Sequence, residues 1–135
     1  MKKISFIIVL LAFIACGESG QLNNCFPNFA FNEVINLNNP QFVDLQVPGQ
    51  NAITAIGGRN IIIIRRNNTS YKVFDLQCPE LDCSSIMTFD GLKLKCPCSN
   101  KEYSSLNGSP IDGEGCLALE YIARPLGNNT LQITR

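Results

Sequence analysis

Seven cysteines carry most of the chemistry this sequence can offer: Cys16, Cys25, Cys78, Cys83, Cys96, Cys98 and Cys116, in a chain of 135 residues with no histidine. No imidazole can act here as base, proton shuttle or metal ligand. The thiols are left with disulfide formation, thiol–disulfide exchange or a thiolate metal site. From Cys78 to Cys98 the spacing is Cys-x4-Cys-x12-Cys-x-Cys, whereas structural zinc takes a close Cys pair at each end. Glu80 with Cys78 and Cys96 supplies only three donors, so no metal is expected. Exchange at Cys96-Pro97-Cys98 stays open, with Lys95 and Lys101 close in sequence to favour a thiolate.

The carboxylates offer less. Asp112 and Glu114 stand two apart in Ile111-Asp112-Gly113-Glu114-Gly115, where a glycine-rich loop points to solvated turn residues rather than an acid/base pair. Glu80 and Asp82 read the same way. No catalytic residue is expected, and the chain is not read as an enzyme. Eleven Lys and Arg balance eleven Asp and Glu, and the only adjacent basic pairs are Lys2-Lys3 and Arg65-Arg66, so nucleic acid is excluded as a partner.

The N-terminus sets the redox compartment. Lys2 and Lys3 precede an apolar or small run over 4–15, too short to span a bilayer and laid out as a secretory signal peptide. The run ends Phe13-Ile14-Ala15-Cys16-Gly17, which resembles a bacterial lipoprotein cleavage box with Cys16 as the lipidated residue. The expected organisation is a signal peptide over 1–15, a lipidated polar tether over 16–24 and one domain over 25–135. Such a chain is exported and held at the bacterial cell envelope, in the periplasm or at the surface, where the membrane and an unidentified envelope protein are its expected partners. Six cysteines then remain in an oxidising compartment. Three disulfides are the simplest reading, and sequence alone permits about 15 pairings.

Short strands must position these thiols. No stretch shows sustained helical periodicity, and apolar segments at 33–37, 42–47, 52–56, 60–65, 71–76, 86–89, 92–96, 117–123 and 130–134 are divided by turn formers such as Gly57-Gly58, Asn67-Asn68, Asp90-Gly91 and Gly127-Asn128. The chain reads as all-β. Two hairpins follow, 61–65 with 71–75 and 86–89 with 92–95. The unbroken Ile61-Ile62-Ile63-Ile64 predicts a strand buried on both faces.

Cys78-Pro79-Glu80-Leu81-Asp82-Cys83, a hairpin, and Cys96-Pro97-Cys98-Ser99-Asn100-Lys101 together resemble the Rieske iron–sulfur domain. In that family two loops, Cys-x-His-x-x-Cys and Cys-x-Cys-His, close around a 2Fe–2S cluster. The Leu106-Asn107-Gly108-Ser109-Pro110 turn with Gly113, and the strands near 61–64 and 71–75, extend the likeness over about 42–134. The resemblance implies an antiparallel β-sandwich or barrel base domain carrying a small two-loop subdomain at 77–108. It matches Cys78 and Cys96 to the thiolate ligands and Cys83–Cys98 to a disulfide between the loops. Glu80 and Ser99 stand at the histidine positions, and Lys101 replaces a small hydroxyl residue. A Rieske centre needs two imidazoles on one iron. The resemblance therefore implies a degenerate site, expected to bind no cofactor, in a non-redox accessory or binding domain, with Cys78–Cys96 and Cys25–Cys116 as further disulfides. The alternatives are a 2Fe–2S electron carrier with unusual ligation and a thiol–disulfide redox protein.

Overall fold

In the computed structural model the described residues are 22–135. The expected signal peptide over 1–15 and the expected lipidation residue Cys16 lie outside them, as does most of the expected tether. The chain runs β1 (Leu22–Asn23), β2 (Asn32–Asn36), a 3-10 helix (Pro40–Gln46), β3 (Asn51–Ile56), β4 (Arg59–Arg65) and β5 (Tyr71–Asp75). It continues through β6 (Thr88–Phe89), β7 (Lys93–Lys95), β8 (Glu102–Ser104), β9 (Gly115–Cys116), β10 (Glu120–Gly127) and β11 (Thr130–Thr134).

Six strands form the base in the order β2-β11-β10-β5-β4-β3. β10 is divided between its neighbours: Glu120 and Tyr121 pair with β5, and Ile122 onward pairs with β11. A strand shared in this way lets the sheet curl over one core. Phe42, Leu45, Ile61, Ile63, Val73, Tyr121, Leu131 and Ile133 fill that core.

β4 is buried on both sides, as its four isoleucines predict. Ile61 and Ile63 face the base core, while Ile62 and Ile64 join Phe74, Leu76, Met87, Leu94 and Tyr103 in a second core. The second core packs the three-stranded sheet β6-β7-β8 against the outer face of β4 and β5. Fully burying side chains of this size contributes about 1.5–3 kcal/mol each, so the two cores fix one sheet to the other.

The expected hairpins form in register, with Ile61 opposite Asp75 and Thr88 opposite Lys95. Their turns have identifiable causes. Asn67 Oδ1 accepts from the N–H groups of Thr69 and Ser70, and Asp90 Oδ1 from those of Leu92 and Lys93.

One segment corrects the sequence reading. Residues 42–47 were expected to form a strand, and Pro40–Gln46 is a 3-10 helix. Pro40 supplies a helical φ at the first turn, and buried Phe42 and Leu45 are three apart, the period at which 3-10 side chains eclipse. The late strand expected at 117–123 begins only at Glu120, because Ala118 N–H is taken by Gly108 and Leu119 C=O by Asp75 N–H. β1, β8 and β9 had no sequence signal. β1 and β9 pair in parallel through Leu22 opposite Gly115 and Asn23 opposite Cys116, so the end of the expected tether lies against the domain.

Candidate functional site

Two loops come together here, 78–85 after β5 of the base sheet and 96–101 between β7 and β8 of the three-stranded sheet. Each is closed by its own backbone: Leu81 N–H bonds Cys78 C=O at 3.0 Å, Asn100 N–H bonds Cys96 C=O at 2.9 Å, and Cys96 N–H bonds Lys101 C=O at 2.9 Å. Leu81 and Asn100 adopt φ of 58° to make these turns. The loops meet at their cysteines. Cys78 and Cys96 are disulfide-bonded with Cα atoms 5.5 Å apart, both buried in the second core. Cys83 and Cys98 are bonded with Cα atoms 5.7 Å apart, and Cys98 is exposed. Cys25–Cys116, with Cα atoms 5.5 Å apart, clips the segment after β1 to β9. The sulfurs of Cys78, Cys83 and Cys96 all lie within 4.8 Å of one another.

Glu80 is not a solvated turn residue. Its Oε1 accepts from Lys101 Nζ at 3.1 Å and from Cys116 N–H at 3.3 Å, so one carboxylate ties the first loop to the second and to β9. Its Oε2 lies 3.2 Å from Cys116 Sγ, a contact without a donated proton because that sulfur is bonded to Cys25. The Glu80 hydrogen bond and charge hold the Lys101 ammonium above its usual pKa. Ser99 is exposed, its hydroxyl 3.4 Å from Lys101 N–H, and takes no part in this contact. Asp112 and Glu114 are exposed, and Asp112 Oδ1 accepts from Glu114 N–H at 3.2 Å as a turn residue does.

Behind the loops, Tyr103 is buried with a hydroxyl that has no hydrogen-bond partner. Burial, with the nearby charges of Glu80, Asp112 and Asp82, pushes its pKa up to about 12. A second network was not foreseen in the sequence. Buried Asp75 accepts from Tyr121 Oη at 2.7 Å, from Gln77 N–H at 2.8 Å and from Arg59. Arg59 also stacks on the ring of Phe29, 4.6 Å from its centroid. No spacing marked Asp75, since Arg59 and Tyr121 lie 16 and 46 residues away and only the Gln77 N–H is local.

No protein-family model matches the chain, and no curated protein matches it. Solved structures do. E. coli NirD aligns over 79% of this chain and 98% of its own, with 13% identity and a TM-score of 0.50. A Mycobacterium tuberculosis protein described as the small subunit of an NADH-dependent nitrite reductase aligns over 80% and 97%, with 15% identity and a TM-score of 0.51. The fold is Rieske-like. At these identities the likeness concerns the fold alone.

The donor set of this Rieske-like chain does not fit the family's 2Fe–2S group. That group needs two free thiolates on one iron and two imidazoles on the other. Here Cys78 and Cys96 are bonded to each other, the sequence has no histidine, and Glu80 is engaged by Lys101 and the Cys116 N–H. Among the described residues, the Tyr103 hydroxyl is the buried side-chain oxygen or nitrogen without a hydrogen-bond partner, and it lies in the second core.

Proposed function

We propose that this chain is a Rieske-like domain that has lost its iron–sulfur cluster, is anchored at the cell envelope through lipid on Cys16, and serves there as an accessory or binding domain. The observation that carries this reading is the Cys78–Cys96 disulfide at the two thiolate positions. The Glu80–Lys101 ion pair supports it by filling with a salt contact the ground a histidine would occupy. The name of the M. tuberculosis protein gives this fold a use as the small subunit of a larger enzyme, and an accessory role of that kind needs no cofactor in the domain itself.

The test is metal, sulfide and thiol analysis of the mature protein made with its leader. The expected result is no stoichiometric iron, no acid-labile sulfide and no free thiol at Cys78 or Cys96. One 2Fe–2S equivalent per chain would overturn the reading in favour of an electron carrier with unusual ligands. Cys16→Ser is expected to move the protein from the membrane fraction to the soluble fraction, and continued membrane association would remove the anchor from the proposal.

A further inference from the structure

Three of the sulfurs are closer than structural bonding requires. Two independent staples need not touch, yet Cys83 Sγ stands within 4.8 Å of both sulfurs of the Cys78–Cys96 bond. The Cys25–Cys116 disulfide contributes no sulfur to this group. The two adjacent disulfides also differ in access. Cys98 is exposed, Cys83 is at the edge of burial with 9% of its surface accessible, and Cys78 and Cys96 are enclosed. Cys83 and Ser84 border a cleft of about 230 Å³, also lined by Arg59, Asn60 and Gln77.

We propose that these two disulfides form an exchange pair, in which electrons accepted at exposed Cys98 pass through Cys83 to the buried Cys78–Cys96 bond. The inference goes beyond the loss of the cluster, since it assigns a use to the thiols left behind. The reductant is a dithiol, free or carried on a protein. One of its thiolates attacks Cys98 Sγ, forming a mixed disulfide, and the Cys83–Cys98 bond breaks with the electron pair leaving on Cys83. The Cys83 thiolate then attacks Cys78 or Cys96. A bond forms to Cys83, the buried bond breaks, and the pair leaves on the other buried sulfur. The second thiol of the reductant displaces Cys98 from the mixed disulfide. The reductant departs as its cyclic disulfide, and its two protons end on Cys98 and the released buried cysteine. Exchange of this kind proceeds by thiolate attack and depends on access to the sulfur attacked. Tyr103 places an unused hydroxyl donor in the core where the released sulfur is left.

The experiment uses Cys98→Ser, which leaves Cys83 without a partner. The folded variant is quenched in acid, denatured, alkylated and mapped by peptide mass spectrometry. The expected label is shared among Cys83, Cys78 and Cys96 in comparable amounts, and label confined to Cys83 would overturn the proposal. Cys83→Ser is the complement: label is expected at Cys98 alone, and label at Cys78 or Cys96 would overturn the assigned order of transfer. If Cys98→Ser does not accumulate, the wild-type protein with limiting dithiothreitol decides. The expected product then has Cys83 bonded to Cys78 or Cys96, with thiols at Cys98 and the other buried cysteine. Thiols at Cys83 and Cys98 only would overturn the exchange. None of these readouts depends on iron content, so this proposal and the loss of the cluster fail separately.

Discussion

Lys101 Nζ lies 3.1 Å from Glu80 Oε1, and this ion pair fastens the two cysteine loops at positions where the Rieske family places a histidine and a small hydroxyl residue. β9 completes the arrangement from the third side. Gly115 has φ of 101°, and a Cβ there would come within 2.8 Å of both Glu80 Oε1 and Lys101 Nζ. The glycine is therefore what lets the backbone approach the pair.

Two variants separate the charge from the approach. Both partners of the pair are roughly one-third exposed, so Glu80→Gln is expected to cost about 1 kcal/mol and less at high salt. Gly115→Ala is expected to cost about 1–3 kcal/mol, because it adds backbone strain to displacement of the pair. Denaturant unfolding of both variants checks this, and a Gly115→Ala loss smaller than that of Glu80→Gln would mean that β9 does not support the loops.

The disulfides should rank by the chain they enclose. Cys25–Cys116 spans 91 residues of sequence separation, against 18 for Cys78–Cys96 and 15 for Cys83–Cys98. In the chain-entropy model the first contributes about 4.5 kcal/mol and the other two about 3 kcal/mol each. Double Cys→Ala replacement of each pair, followed by thermal unfolding, is expected to lower Tm most for Cys25 with Cys116. The reverse order would show that cavity loss at the buried Cys78–Cys96 bond outweighs loop entropy.

Asp75 should be the most costly carboxylate to alter. It is buried, and its side chain accepts from Arg59, Tyr121 and Gln77 N–H. Asp75→Asn removes the charge that Arg59 faces and turns an acceptor into a donor, for an expected loss of about 3 kcal/mol. Urea unfolding measures it. A loss below that of Glu80→Gln would show that the network is replaceable by water.

Periodicity and residue identity made part of this molecule legible. Four consecutive isoleucines, β-branched and with no polar position to face water, read as a strand enclosed on both sides, and β4 is shared by two cores. Phe42 and Leu45 were misread because a spacing of three satisfies a short 3-10 helix as well as a loosely patterned strand, and Pro40 decides between them. Glu80 was misread as a solvated residue because its partners, Lys101 and Cys116, approach only through tertiary contact. β1 and β9 are two residues each and pair in parallel across most of the chain, too short for any pattern to register.

Alkaline pH should reveal the two buried phenols. Burial raises Tyr103 to about 12, and burial with the Asp75 hydrogen bond raises Tyr121 further. An unfolded tyrosine ionises near pH 10. Above about pH 10 the unfolded chain therefore holds fewer protons than the native one, and stability falls as pH rises towards the folded pKa values. Below about pH 10 both states are protonated and these groups impose no slope. Tyr103→Phe and Tyr121→Phe should each flatten the decline, and they should differ at neutral pH. Tyr121→Phe gives up the 2.7 Å bond to Asp75 and is expected to lose about 1–2 kcal/mol, whereas Tyr103→Phe removes a buried hydroxyl with no partner and is expected to leave stability unchanged or higher. Unfolding free energies between pH 7 and about 11.5 test both parts. A neutral-pH loss in Tyr103→Phe as large as that in Tyr121→Phe would show that the Tyr103 hydroxyl has found an acceptor in the second core.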